Sequence, residues 1–131
     1  MDAPTFENLD LACARAGKTI AEIPSKELEN LVTDALAVLE EQGVYALFLF
    51  LKTRGGSGAE NVKDEIHKFL KATPRQVPLL SDNPDNPDVF TSLQQMAMDL
   101  DNLLLARDLI RQTLVYARYH ARVSQKSEVT T

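Results

Sequence analysis

The stretch 41-EQGVYALFLFLKTRGG-56 decides the fold class, because its eight consecutive apolar residues, Val44 to Leu51, suit a strand, a helix or a membrane segment. A membrane helix needs about 20 apolar residues, so this run is too short to span a bilayer. A buried strand needs partners for its backbone groups, and no other segment shows β-branched alternation. The nearest rival, 77-VPLL-80, contains a proline. The run therefore predicts a buried helix that extends through Arg54.

Apolar residues recur at steps of three and four in four further segments, which predicts four further helices. These segments lie at residues 5–22, from the cap Ser25 to Gly43, from the cap Ser57 to Thr73, and from Asn86-Pro87 over about 89–123. A break near Met98–Asp101, which divides the last segment into two helices, is an open alternative. The sequence predicts an all-α, compact bundle of five to six helices with a long C-terminal helix.

The length and composition favour one soluble domain. A chain of 131 residues has room for a single core, which we expect at about 5–123, followed by a flexible tail at 124–131. It is 44% apolar and 25% charged, values that are ordinary for a globular protein. The N-terminus 1-MDAP-4 lacks the apolar stretch of a signal peptide. The lone Cys13 cannot form an internal disulfide, which fits a reducing compartment, so we expect a cytoplasmic protein without a membrane partner.

Charge is segregated along the chain, although the net charge is −5. Residues 52–75 and 107–131 each carry a net charge of +3, whereas residues 1–51 and 76–106 carry −6 and −5. Two basic blocks in an acidic chain are evidence about binding partners rather than about the fold.

Four arginines of the last predicted helix share one face, and we call them the arginine row. At about 100° per residue they fall within about 60° around the axis and span about 22 Å. The row consists of Arg107, Arg111, Arg118 and Arg122. Arginine forks suit phosphate oxygens, so the row is a candidate contact to an RNA backbone. The alternative is that these side chains pair with acids or lie along the apolar face.

The second basic block contains further candidates for phosphate contact. Lys63, His67 and Lys71 follow one another at steps of four and form the lysine row. Lys52 and Arg54 precede it, directly after the apolar run. Tyr116 and Tyr119 flank Arg118; we interpret them as packing or partner contacts in preference to base-stacking groups.

Leu105, Leu109 and Tyr116 lie roughly opposite the core face of the last helix. Either another part of the chain or a partner must cover them. We predict a partner, because so small a domain rarely surrounds a helix completely.

The sequence offers no catalytic or metal motif. His67 and His120 have no metal-ligand spacing, and 54-RGGSG-58 lacks the lysine ending of a P-loop. The acidic loop 82-DNPDNPD-88 does not place ligands at alternate positions, as a calcium loop does. We therefore expect no enzyme activity, no cofactor and no metal.

The order of elements resembles the small subunit of CRISPR type III-B (Cmr) effector complexes. The resemblance covers roughly residues 5–123 and is greatest at 31-LVTDALAVLEEQGVYALFLFLKTR-54, where a helix reaches a glycine and continues as an apolar helix to a basic loop. It implies a helical bundle without catalytic activity, copies of which stack in a filament beside other effector subunits. It also implies contact with crRNA and target RNA, independent of sequence, through Lys52, Arg54 and the basic residues of the two following helices. The alternative is a helical adaptor or oligomerisation protein that has no contact with nucleic acid.

Overall fold

The computed structural model describes residues 7–81 and 88–129, with side chains described as far as residue 124. In these ranges the chain forms six α-helices and no strand, which confirms the predicted all-α bundle with a long C-terminal helix. The helices are α1 (Leu9–Ala21), α2 (Leu28–Gln42), α3 (Val44–Arg54), α4 (Gly56–Ala72), α5 (Val89–Ala97) and α6 (Leu100–Val129).

Helix α3 is the apolar run on which the fold class depended. One of its faces lies in the centre of the core, where Leu47, Phe48 and Leu51 are completely buried. The opposite face is only partly covered, because Tyr45 is 39% exposed and Leu49 is 42% exposed. The predicted helix is therefore confirmed, but the expectation that it is buried on all sides is wrong.

Glycines set the tight turns before and after α3. Gly43, Gly55 and Gly56 have φ angles of 100°, 71° and 87°, a region that favours glycine because it has no Cβ. Helix α4 begins at Gly56, so Ser57 lies inside the helix and makes no capping hydrogen bond. The predicted capping role of Ser57 is therefore wrong.

The starts of the first two helices also differ from the prediction. Asn8 caps α1, since its side-chain oxygen accepts a hydrogen bond of 2.9 Å from the Leu11 amide. Helix α2 begins at Leu28 with Glu27 at the N-cap position, so the prediction of Ser25 as its cap is wrong.

The last predicted segment is two helices, as the alternative with a break near Met98 proposed. Helix α5 ends at Ala97, and Asp99 begins α6 by accepting hydrogen bonds from the amides of Asp101 (3.0 Å) and Asn102 (3.3 Å). The predicted start at Asn86-Pro87 lies outside the described residues. Helix α6 continues to Val129, past the expected end at residue 123.

Helix α1 lies directly against α6. A Cβ added at Gly17 would lie only 2.7 Å from the carbonyl oxygen of Thr113 and 2.9 Å from the amide nitrogen of Ala117. The missing side chain is therefore what allows the two backbones to approach. One turn earlier, the Cys13 thiol donates a hydrogen bond of 3.4 Å to the carbonyl oxygen of Leu109.

This packing corrects the prediction that a partner covers the second apolar face of the last helix. Leu109 is 6% exposed, and Leu105 and Tyr116 are partly buried against the core. The Tyr116 hydroxyl donates a hydrogen bond of 2.8 Å to Asp10 at the start of α1. The chain itself therefore buries Leu109 and part of Leu105 and Tyr116, so the prediction of a partner is wrong for Leu109.

Candidate nucleic-acid interface

The arginine row lies along the seam between α6 and α2. The Nε atom of Arg111 is 3.0 Å from Oε1 of Glu40, and the Nε atom of Arg122 is 2.6 Å from Oε1 of Glu29. Both carboxylates are on α2, so acids of one helix hold arginines of the other in a line.

The two ion pairs have the same spacing on both helices. Glu29 and Glu40 are eleven residues apart, and so are Arg111 and Arg122. Eleven residues make about three turns and about 16 Å. The two glutamates therefore lie on one edge of α2, and the two arginines lie on one edge of α6. Since the earlier glutamate meets the later arginine, α2 and α6 run antiparallel.

The other two arginines of the row have different surroundings. Arg107 donates a hydrogen bond of 2.9 Å from Nη2 to the backbone carbonyl of Glu40. Arg118 is half-buried, and its Nε atom is enclosed without a hydrogen-bond partner in the described part of the chain. The row is thus partly structural, as the alternative interpretation of the sequence proposed.

The two ion pairs are nevertheless at the surface. The side chains of Arg111 and Arg122 are 57% and 50% exposed. Exposed pairs of this kind contribute only about 0–1 kcal/mol, because water screens them. The bond to each glutamate is made through Nε, and the other donors of the guanidinium fork lie in the same plane for a second acceptor. A phosphate oxygen can therefore compete for these groups.

Lys52 and Arg54, at the end of α3, are each close to a phenylalanine ring. The Nζ atom of Lys52 lies 5.3 Å from the centroid of the Phe90 ring, and Cζ of Arg54 lies 5.8 Å from that of Phe50. Arg54 also donates a hydrogen bond of 2.7 Å to Asp34 of α2. These two basic residues therefore have separate environments, although they are only two positions apart.

The lysine row lies on a different part of the bundle. It is on α4, which packs against α1 and α3, whereas the arginine row follows α2. Lys63 is 2.8 Å from Glu60 of its own helix, and Lys71 is half-buried. The structure therefore separates the two rows: the lysine row is on α4, beside α1 and α3, and the arginine row is on α6, beside α2.

The structure also assembles a group that sequence reasoning missed, which we call the aromatic corner. It consists of Tyr45 and Lys52 from α3 with Phe90 and Gln94 from α5. The Tyr45 and Phe90 rings meet edge to face at 5.5 Å, and Gln94 donates a hydrogen bond of 3.3 Å to the Tyr45 hydroxyl. No sequence signal identifies this group, because the all-apolar α3 does not indicate which of its faces is exposed.

The remaining predictions concern reactive groups and membranes. Cys13 is buried, and burial raises the pKa of its thiol above the ordinary 9.0. Within the described ranges, no group of three His, Cys, Asp or Glu side chains is placed to hold a metal ion. None of the helices described is both long enough and apolar enough to cross a bilayer. Residues 82–87 of the acidic loop lie outside the described residues.

Comparison of the chain with protein-family models, with curated proteins and with solved structures finds no match. The resemblance to the Cmr small subunit therefore stays a prediction that rests on the order and patterning of the helices.

Proposed function

We propose that this protein is a non-catalytic small subunit of a type III CRISPR RNA-guided ribonucleoprotein complex, with a role in antiviral defence. Its copies stack with one another and with other effector subunits. They contact the backbone of the crRNA–target RNA duplex without sequence specificity. The order of the helices supports this proposal, since the apolar helix α3 ends in basic residues and a turn that leads to α4, and the long helix α6 comes last.

The observation that carries the RNA contact is the line of half-exposed guanidinium groups on α6. Arg111 and Arg122 are about 16 Å apart on one edge of the helix, by the rise per residue, and Glu40 and Glu29 hold them there. Arginines that are already ordered lose less side-chain entropy when they bind phosphate. Because they contact no base edge in this role, the binding is independent of sequence.

A filter-binding titration of the purified protein with single-stranded and duplex RNA over a range of salt concentrations tests this contact. The informative variant is Arg111→Gln/Arg122→Gln, because glutamate at these positions would repel Glu29 and Glu40 and disturb the fold. We expect weaker binding and a shallower dependence of affinity on salt. The logarithmic slope should decrease by about 0.9 for each duplex phosphate that the variant no longer neutralises.

The matched control is Arg15→Gln/Lys18→Gln, which removes the same charge from exposed positions of α1. We expect this control to weaken binding much less, because α1 does not carry the arginine row. Equal losses in the two double variants would show that RNA responds only to net charge, and the proposed contact would then be wrong.

Membership of the complex is tested separately from RNA binding. The genes beside the one for this protein should encode other CRISPR effector subunits, and the protein should co-purify with them when all are expressed together. A gene neighbourhood without such subunits, together with failure to co-purify, would refute the assignment even if the protein binds RNA.

The alternative, a helical adaptor without RNA contact, is favoured by one observation at the α5–α6 connection. Met98, Leu100 and Leu104 are 88%, 65% and 47% exposed, although they are large apolar side chains. Exposed apolar groups so close in sequence are typical of protein interaction sites. Loss of self-association in Leu100→Ser/Leu104→Ser, with no RNA binding by the wild type, would favour the adaptor.

A further inference from the structure

We propose that the aromatic corner is a stacking site for an unpaired nucleobase of single-stranded RNA, with Lys52 as the phosphate contact. This inference rests on the RNA contact proposed above, but it concerns other residues and a different part of the nucleotide. The arginine row contacts the backbone, whereas the aromatic corner contacts the base.

The Tyr45 ring is accessible and already fixed in one orientation. It is 39% exposed, its hydroxyl accepts a hydrogen bond from Gln94, and it meets the Phe90 ring at an angle of 65°. A ring held from two sides loses little conformational entropy when a ligand stacks on it. Every base presents a flat aromatic face, so such a site is tolerant of sequence.

The cation needed for the phosphate lies on the same face of α3 as this ring and contacts its neighbour, the Phe90 ring. Lys52 is exposed and lies seven residues after Tyr45, which is two turns later on the same face of α3. Its ammonium lies 5.3 Å from the centroid of the Phe90 ring. An exposed contact of this type contributes about 0.5–1 kcal/mol. The ammonium can therefore exchange this contact for one with a phosphate oxygen at little cost.

Lys52 is the charged member of the corner. Helix α5 itself contains no charged residue, and Asp88, which precedes it, is engaged in capping that helix. One of its oxygens accepts from the Phe90 amide at 3.1 Å, and the other accepts from the Thr91 hydroxyl at 3.3 Å. An acidic peptide satisfies the charge of Lys52 but does not use the flat face of Tyr45, so the chemistry of the site favours a nucleotide.

Fluorescence anisotropy with two labelled probes tests the inference on the full chain. One probe is a single-stranded oligouridylate, and the other is an abasic ribose-phosphate oligomer of equal length and charge. We expect Tyr45→Ala to weaken binding of the oligouridylate roughly 5- to 150-fold, the equivalent of about 1–3 kcal/mol for a stacked base. The affinity for the abasic oligomer should not change. Tyr45→Phe, which keeps the ring, should bind more like the wild type than like Tyr45→Ala.

Two controls separate stacking from a general loss of surface. Leu11→Ala removes an apolar side chain that is 43% exposed on α1, and it should bind both probes as the wild type does. Thermal unfolding of Tyr45→Ala should remain cooperative, because the buried core cluster of the described residues does not include Tyr45.

The outcomes distinguish this inference from the proposed function. If Tyr45→Ala affects both probes equally, or neither, the stacking site is wrong, and the arginine row remains the tested RNA contact. If the wild type binds neither probe at low salt, the inference is also wrong, and co-purification with effector subunits still decides the proposed function. If Tyr45→Ala abolishes co-purification with effector subunits in an experiment from which RNA has been removed, the aromatic corner is a protein interface instead.

Discussion

Substitution of Gly17 by alanine tests whether α1 packs against α6 as the structure describes. The new Cβ would lie 2.7 Å from both the Thr113 carbonyl oxygen and the Tyr116 Cβ, and 2.9 Å from the Ala117 amide nitrogen. Two of these three neighbours are backbone atoms, so no rotation of a side chain relieves the contact. The two helices must move apart along their whole interface.

The expected change in the free energy of unfolding of Gly17→Ala is the sum of two opposing contributions. Overpacking of a well-packed core costs about 1–3 kcal/mol, and rigid backbone neighbours place this site at the upper end of that range. Alanine is more favourable than glycine in a helix by about 1 kcal/mol. The net destabilisation is therefore about 2 kcal/mol. With an unfolding entropy of about 2.1 cal/mol/K per residue, a chain of this length should show a Tm lower by about 7 °C.

Thermal unfolding followed by circular dichroism at 222 nm measures this change. Gly58→Ala is the matched control, since it makes the same substitution in α4, where the nearest atom is the hydroxyl oxygen of Ser25 at 3.1 Å. We expect the free energy of unfolding of this control to change by less than about 1 kcal/mol, because one of its close neighbours is a side-chain hydroxyl. An unchanged or higher Tm for Gly17→Ala would show that α1 and α6 are not in close contact. The apolar face of α6 would then again be available to a partner.

Two further predictions concern the acids that face α6. Glu29→Gln/Glu40→Gln should raise the affinity of the protein for RNA in the filter-binding assay, because it removes the anions that compete with phosphate for the arginine row. Each exposed pair contributes at most about 1 kcal/mol, so chemical denaturation should show a small loss of stability; unchanged RNA affinity would argue against the row as the contact. The hydrogen bond to Asp10 raises the pKa of Tyr116 above its ordinary 10.0. The Tyr116 hydroxyl therefore loses its proton at a lower pH in the unfolded chain than in the folded one. The hydrogen bond stabilises the fold fully below pH 10.0, and its contribution is lost as the pH rises through the pKa of the folded state. Tyr116→Phe should therefore lose less stability over that alkaline range than the wild type, and equal losses would contradict the hydrogen bond.

The sequence contains one of the two facts that identify the ion pairs between α2 and α6. The spacing of eleven residues occurs twice, once between glutamates and once between arginines, and it is a multiple of the helical turn. What was missing was the knowledge that these two helices are neighbours. Without it, four arginines on one face predict a free basic surface, whereas in the structure three of them bind groups of α2.

The sequence by itself determined the helices, because local spacing of apolar residues, glycines and prolines acts within a few turns of the chain. It determined that the run 44–51 is helical and that the last segment is free to break near Met98. It did not determine which apolar faces of α3 and α6 are covered, since burial depends on which other helix packs there. Tertiary structure decided that α1 packs over Leu109 and that the helices described leave Tyr45 partly exposed. Contacts between residues distant in sequence, such as Tyr45 with Phe90, depend on how the helices pack, and spacing along the chain carries no information about that.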